Sequence, residues 1–306
     1  MKVFITGGCG FIGSNLCEYC LQIGYDVILY DNLSTGSVRN IRNIDKILLV
    51  ENDILNKTEL IGAMSGCDVV FHLAALASVP ESIIDPLKTV MINEIGTINV
   101  LEAMKENNIK NIVFSSSAAI YGNSSECPKS LSMLPSPVSP YAITKLTGEH
   151  FMSLYTHEHG FKAVSARFFN VYGENQNPGS MYAAAIPIFI KNSLCNQSIT
   201  IYGDGEQTRD FIYVKDLVKY LVKLADGFIG VYNLGYGTSI TINELVKIII
   251  KLTNSRSGIK YEGNRAGDVK YSYADVSKTI EDIPVELYGF HEGISRTIKF
   301  LKKEID

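Results

Sequence analysis

Tyr141 and Lys145, in the segment YAITK, stand four residues apart. On a helix that is one turn, so both side chains can face one cleft. A lysine ammonium beside a phenol favours the phenolate and draws its pKa below about 10. A positively charged nicotinamide would add to that pull and make Tyr141 a candidate base at neutral pH. Upstream, Ser115, Ser116 and Ser117 end a β-rich run at 111–116 and set hydroxyls at the carboxyl end of a strand, where α/β proteins bind ligands. Near the start, Thr6-Gly7-Gly8-Cys9-Gly10-Phe11-Ile12-Gly13 spaces glycines at 7, 10 and 13 directly after the first apolar run. That spacing allows a tight turn and close approach of backbone to a pyrophosphate at a helix N-terminus. Asp31 ends the second apolar run, eighteen residues beyond Gly13. A carboxylate there accepts hydrogen bonds from an adenosine ribose and repels a 2′-phosphate, which favours NAD; Arg39 and Arg42 leave NADP open.

These groups need elements to hold them. Short apolar runs at 2–6, 26–30, 46–50, 68–73, 111–116 and 163–168 alternate with helical patterns at 11–23, 57–64 and 90–107. Alternation of this kind predicts an α/β fold with a parallel, doubly wound Rossmann sheet covered by helices on both faces. After about residue 170 the rhythm changes to loops rich in Asn, Gly, Pro and Ser. The expected division is an NAD-binding domain at 1–169 and a smaller α/β substrate domain at 170–306, with part of 210–236 able to pack on the first. A loop at 124–140 carrying four prolines is long enough to cover something.

Composition narrows the field. Lysine and arginine total 28 against 32 aspartates and glutamates, a net charge of −4, which lacks the basic excess of a nucleic-acid binder. No run approaches the ~20 apolar residues of a membrane span, and the opening MKVFITGG is too short in apolar residues for a signal-peptide core. The expectation is a cytoplasmic protein without membrane partners. Six scattered cysteines fit a reducing compartment. Cys17 and Cys20 fall in an apolar helical pattern and read as buried rather than metal-binding, and His157 and His159 read as a solvated helix end; no metal is expected.

In order along the chain, TGGCGFIG, DNLSTG at 31–36, HLAA at 72–75, SSSAAIYG at 115–122, YAITK, RFFNVYG at 167–173, TRDFIYV at 208–214 and RAGDV at 265–269 resemble the extended short-chain dehydrogenase/reductases, and among them the nucleotide-sugar 4-epimerases. The resemblance spans nearly the whole chain. It implies that Gly7, Gly10, Phe11, Ile12, Asp31, Asn32, Ser34, Thr35, Gly36, Asp53, Ile54, Leu73, Ala74, Ala75, Asn93 and Ser115 line NAD, joined near the nicotinamide by Tyr141, Lys145 and Phe169. It implies Ser117, Tyr141 and Lys145 as the catalytic set. Asn170, Arg209, Arg265 and Asp268 match positions that hold UDP, and two guanidiniums suit a diphosphate.

Within that group, Ser117 is followed by Ala118 and Ala119, where dehydratases and decarboxylases carry an acidic residue. Ser272 stands where glucose-restricted epimerases carry a bulky tyrosine, which leaves room for an N-acetyl group. LASVPES at 76–82 and NPGSMYAAAIP at 177–187 resemble the UDP-N-acetylglucosamine 4-epimerases, with Ser78, Ala184, Ala185, Ile186 and Tyr202 in the substrate set. The implied activity is epimerisation of a UDP-sugar at C4 through a bound 4-keto sugar, with UDP-GlcNAc/UDP-GalNAc and UDP-glucose/UDP-galactose as the pairs. A keto-sugar reductase and a noncatalytic NAD-binding protein stay open as alternatives. The resemblance further implies a homodimer joined by helices at 90–107 and 142–159.

Overall fold

The structure, a computed structural model, describes residues 1–179, 185–263 and 269–305. The chain divides into two compact units. The first comprises Met1–Gly122, Pro135–Phe168 and Val218–Tyr232, and the second Asn123–Leu134, Phe169–Leu217 and Asn233–Asp306.

Six strands of the first unit, β1 (Lys2–Thr6), β2 (Asp26–Asp31), β3 (Ile47–Glu51), β4 (Val69–His72), β5 (Asn111–Ser117) and β6 (Lys162–Phe168), form one parallel sheet with a seventh strand, Gly230–Leu234. The order is β3-β2-β1-β4-β5-β6 and then Gly230–Leu234. This is the doubly wound Rossmann order, in which connection direction reverses between β1 and β4 and opens a crevice at the strands' carboxyl ends. Helices α1 (Phe11–Gln22), α2 (Lys57–Ala63), α3 (Val79–Ile84), α4 (Pro86–Val90), α5 (Gly96–Glu106) and α6 (Pro140–His159) supply the crossovers. Phe4, Ile28, Val70, Leu101, Met104, Ile112 and Phe114 are buried in one cluster, which explains why these strands read as continuous apolar runs.

The helix expected at 90–107 begins earlier and in pieces. Asp85 caps Pro86 at the start of α4, one π-helical turn spans Met91–Ile95, and α5 follows. A Cβ on Gly96 would lie 2.4 Å from Ile54 Cδ1, so the junction packs where only glycine fits. A hydrophobic period of 3.6 cannot register an inserted π turn.

The second unit is built from small paired sheets. Asn170–Tyr172 pairs with Phe211–Tyr213; Thr208–Arg209 lies between Ile240–Thr241 and Tyr271–Ser272; Ile199–Tyr202 pairs with Ile259–Glu262. Its aromatic core sets Tyr172 against Phe211, Tyr213 and Phe290. The proline-rich loop contributes Asn123–Leu134 to this unit, where buried Lys129 donates from its backbone to Tyr273 and from its Nζ to the carbonyls of Ser124 and Glu126, each at 2.6 Å. Among the described residues no helix is long and apolar enough to cross a membrane.

Candidate active site

The glycine loop follows β1 at the point of reversal. Gly7 has a left-handed φ of +67°, and a Cβ on Gly13 would sit 2.2 Å from the Gly7 carbonyl oxygen. Any side chain there would close the cradle. Gly10 is the N-cap of α1 and supplies no side-chain cap, and the first turn carries no acidic residue. The first-turn amides and the positive end of the helix are thus set for an anion. Asp31, buried at the end of β2, accepts from Cys9 N at 2.9 Å and Leu33 N at 2.8 Å, one bond per carboxylate oxygen. Each oxygen keeps a lone pair for a ribose hydroxyl. A Cβ on Gly36 would fall 3.1 Å from both Asp31 oxygens. Asn32 donates to Asp53 at 2.8 Å and accepts from Ser34 N, and Ile54 is buried. Thr35 and Arg39 are exposed, and Arg42 rests 3.5 Å from Glu18. A dinucleotide fits this cradle: backbone amides for its phosphates and a carboxylate for its ribose.

The reaction corner lies at the end of β5. Ser139 caps α6 through Ala142 N and Pro140 occupies its first turn, which fixes the start of the helix that carries Tyr141 and Lys145. Ser117 accepts from Ala119 N at 3.1 Å and is the side chain that pulls against the burial of the Tyr141 phenol. Lys145 is 3 % exposed; its Nζ donates to the Ser115 carbonyl at 2.7 Å and to Ser115 Oγ at 3.3 Å, and lies 5.9 Å from the Tyr141 ring centre. Burial holds the Lys145 ammonium down at about 7.

One expectation needs correction. In the protein alone the Tyr141 phenol is pushed up rather than drawn down: burial raises it, against an opposing pull from Ser117. The hydrogen bonds of Lys145 Nζ go to Ser115.

Spacing gave no sign of a buried relay behind this corner. Thr6 Oγ1 accepts from Leu73 N and Ala74 N, each at 3.2 Å, and meets His72 Nδ1 at 2.8 Å. His72 Nε2 meets Thr97 Oγ1 at 2.9 Å, and that hydroxyl donates to the Asn93 carbonyl. Since Thr97 spends its proton on Asn93, His72 carries its hydrogen on Nε2 and accepts at Nδ1. Burial, helped by the charge of Lys145, holds the imidazole down at about 3. Asn93 donates to Leu76 O and to Thr144 Oγ1, accepts from Leu76 N, and so joins the π turn to α6. Asn93 was expected at the dinucleotide; its amide is 3 % exposed and these three bonds tie it to protein groups. HLAA carries the imidazole in plain view, but its partners lie 66 and 25 residues away.

In the second unit, buried Asp210 organises the expected substrate residues. Its carboxylate accepts from Tyr236 N, Gly237 N and Ala274 N at 2.7, 3.0 and 3.1 Å. Its carbonyl accepts from Asn170 N and Nδ2, and its N–H donates to the Ser272 carbonyl at 3.0 Å. Arg209, half-buried, bonds the Thr208 carbonyl through Nη1 at 2.8 Å. Ser272 is half-buried on its short strand, Tyr202 ends Ile199–Tyr202, Phe169 and Ile186 are buried, and Ala185 begins the helix Ala185–Leu194. In the first unit, Ser78 caps α3 through Glu81 N, and Ala75 is half-buried after β4. Ala184, Arg265 and Asp268 lie outside the described residues. Cys17 and Cys20 are buried on α1, and among the described residues no group of His, Cys, Asp and Glu could hold a metal.

Residues 3–235 match the model of the NAD dependent epimerase/dehydratase family. The chain belongs to that family. NAD is the family's cofactor, and the glycine cradle and Asp31 suit it. The chain is 32% identical over 314 residues to the UDP-glucose 4-epimerase of Mycolicibacterium smegmatis, covering 99% of each. The UDP-N-acetylglucosamine 4-epimerase from Methanobrevibacter ruminantium M1, solved in complex with UDP-N-acetylmuramic acid, superposes with a TM-score of 0.95 at 38% identity, over 99% of this chain and 98% of that one. The UDP-glucose 4-epimerase of Thermotoga maritima, solved with UDP-glucose, gives a TM-score of 0.95 at 34% identity over 100% of both. The chain is thus an epimerase-family member similar to UDP-sugar 4-epimerases along its length.

Proposed function

We propose that this epimerase-family protein interconverts UDP-GlcNAc and UDP-GalNAc, with UDP-glucose and UDP-galactose as a second pair. The observation that carries the reaction is the grouping of Ser117, Tyr141 and buried Lys145 at the end of β5, with Lys145 bonded to Ser115 and 5.9 Å from the Tyr141 ring centre. In this reading Tyr141 takes the proton of the sugar 4-hydroxyl and Ser117 hydrogen-bonds the same oxygen. Lys145 holds the cofactor ribose. Bound NAD supplies a reversible hydride acceptor for C4 and, while oxidised, a positive charge that favours the Tyr141 phenolate. Asn170, Arg209, Arg265 and Asp268 grip the UDP moiety, so the keto sugar can turn over and be reduced on its other face. Ala118 and Ala119 after Ser117 offer no acid for elimination or decarboxylation.

The N-acetyl reading rests on the small side chain at Ser272 and on the likeness to the Methanobrevibacter enzyme. Steric pockets reject large groups better than small ones, so a site that admits GlcNAc also admits glucose. Ser272→Tyr should remove GlcNAc turnover and spare glucose; unchanged GlcNAc turnover in that variant defeats the steric argument. Proton NMR of the purified protein with each sugar nucleotide, without added cofactor, tests the whole reading. The C4 epimer of UDP-GlcNAc is expected with no net absorbance change at 340 nm. UDP-galactose alone overturns the substrate assignment, and a stoichiometric change at 340 nm overturns the epimerase.

The homodimer belongs to the same proposal. Leu87, Met91 and Ile95 recur every four residues with 78, 49 and 39 % exposure, and Ile143 and Leu154 on α6 are half exposed. Such a stripe suits a helix-to-helix contact with a second copy. A double Leu87→Glu, Met91→Glu variant should run as a monomer in light scattering.

A further inference from the structure

The catalytic serine and tyrosine sit on different elements, and something must hold those elements in register. Behind them lies an ion pair that the proposed reaction does not use. Arg167 Nε and Nη2 donate to Glu149 Oε1 and Oε2, both at 2.8 Å, with each side chain 6 % exposed. Glu149 stands on α6, four residues beyond Lys145 and eight beyond Tyr141. Arg167 stands on β6 directly across from Ser116 of β5. Ser116 Oγ donates to Glu149 Oε1 at 2.5 Å, so one carboxylate joins the helix to two neighbouring strands.

The linkage continues to Ser117. The Arg167 guanidinium stacks 4.9 Å from the ring centre of buried Tyr121. Tyr121 ends the 3-10 turn Ala118–Tyr121, whose N-cap is Ser117 itself. Helix and strand also meet at bare backbone: a Cβ on Gly148 would fall 2.3 Å from the Phe114 ring. Ser116 is thus held from behind, and Ser117 is held by the turn that Tyr121 anchors.

We propose that Glu149 and Arg167 are positioning residues for the reaction: acting through Ser116 and Tyr121, they set where Ser117 stands relative to Tyr141. The proposal rests on the epimerase reading for its kinetic consequences but not for its geometry. The nearby charged and titratable groups have anchors of their own: Lys145 from α6 is bonded to Ser115, and His72 from β4 is buried in its threonine relay.

The test uses the NAD-loaded protein in three forms: unaltered, Glu149→Gln and Ser116→Ala. Ser116→Ala deletes one hydroxyl and leaves the ion pair whole, which keeps the test open should Glu149→Gln fold poorly. Two readouts are taken. The first is ionisation of Tyr141, from the 295 nm difference titration of each form against the same form carrying Tyr141→Phe. Because Ser117 draws the Tyr141 pKa down, moving it away should shift this ionisation to higher pH, further in Glu149→Gln than in Ser116→Ala. The second is steady-state epimerisation, where kcat should fall ~10-fold to ~100-fold with KM within about twofold, as expected for misplacement of reacting groups. Folded variants with an unmoved Tyr141 ionisation and unaltered kcat would overturn the proposal. If the unaltered protein turns over no UDP-hexose, the epimerase reading fails while the titration still decides the positioning role.

Discussion

The corner that would do chemistry and the segments that would recognise substrate are held by different means. Around Tyr141 the supports are buried side chains: the Thr6–His72–Thr97–Asn93–Thr144 relay and the Ser116–Glu149–Arg167 group. In the second unit, Asn170, Arg209 and Ser272 sit on strands two or three residues long, tied through backbone groups to the single residue Asp210. Proton transfer tolerates little displacement, so its groups are fixed from several sides. In the proposed reading, recognition of the sugar would be served by short backbone-paired strands, on which one side chain such as Ser272 can change without rebuilding the rest. The difference teaches where damage should appear: in kcat for the first region and in KM for the second.

Breaking the chemical corner at its centre should have the largest effect. Tyr141→Phe is expected to lower kcat about 10³-fold, the range of a lost general base, while NAD stays bound, as judged by the cofactor released on denaturation. Next comes the cradle. Gly13→Ala places a methyl 2.2 Å from the Gly7 carbonyl and should abolish NAD retention and weaken NAD binding ~100-fold by calorimetry.

Asp210→Asn tests the recognition side. It swaps an acceptor of three backbone N–H bonds for a group that partly donates, at a cost of about 2 kcal/mol in thermal unfolding. KM for the UDP-sugar should rise ~10-fold with kcat nearly held, and a fall in kcat alone would erase the contrast between the regions.

A pH effect on stability completes the set. His72 is held at about 3 in the folded protein against about 6.5 unfolded. Between those values the unfolded chain binds a proton that the folded one does not. Stability is therefore full above pH ~6.5 and falls as pH drops toward 3, by an amount on the order of a few kcal/mol. His72→Gln should flatten the Tm–pH curve from pH 7 to 4; an identical slope would show that the relay does not keep the imidazole neutral.

Much of the chemistry was legible because it is local. The glycines at 7, 10 and 13, Asp31, and the Tyr141–Lys145 pair obey short spacings imposed by a turn, a strand end and a helix. The sheet followed from alternating apolar runs, whose bounds shift by a residue or so in the structure. What stayed hidden depends on distance in sequence. Arg167 and Glu149 are 18 residues apart and Asp210 reaches Ala274 across 64, and no periodicity records such meetings. The direction for Tyr141 was misjudged for a related reason: spacing places the ammonium on the same helix face, but only tertiary structure reveals the burial that pushes the phenol up.

The central claim is that C4 loses and regains one and the same hydride. Conversion of UDP-[4-²H]GlcNAc by the NAD-loaded protein in ordinary water tests it most directly, with the product examined by NMR and mass spectrometry. The account predicts UDP-GalNAc that keeps its deuterium at C4. Product with hydrogen at C4, washed in from solvent, would contradict it.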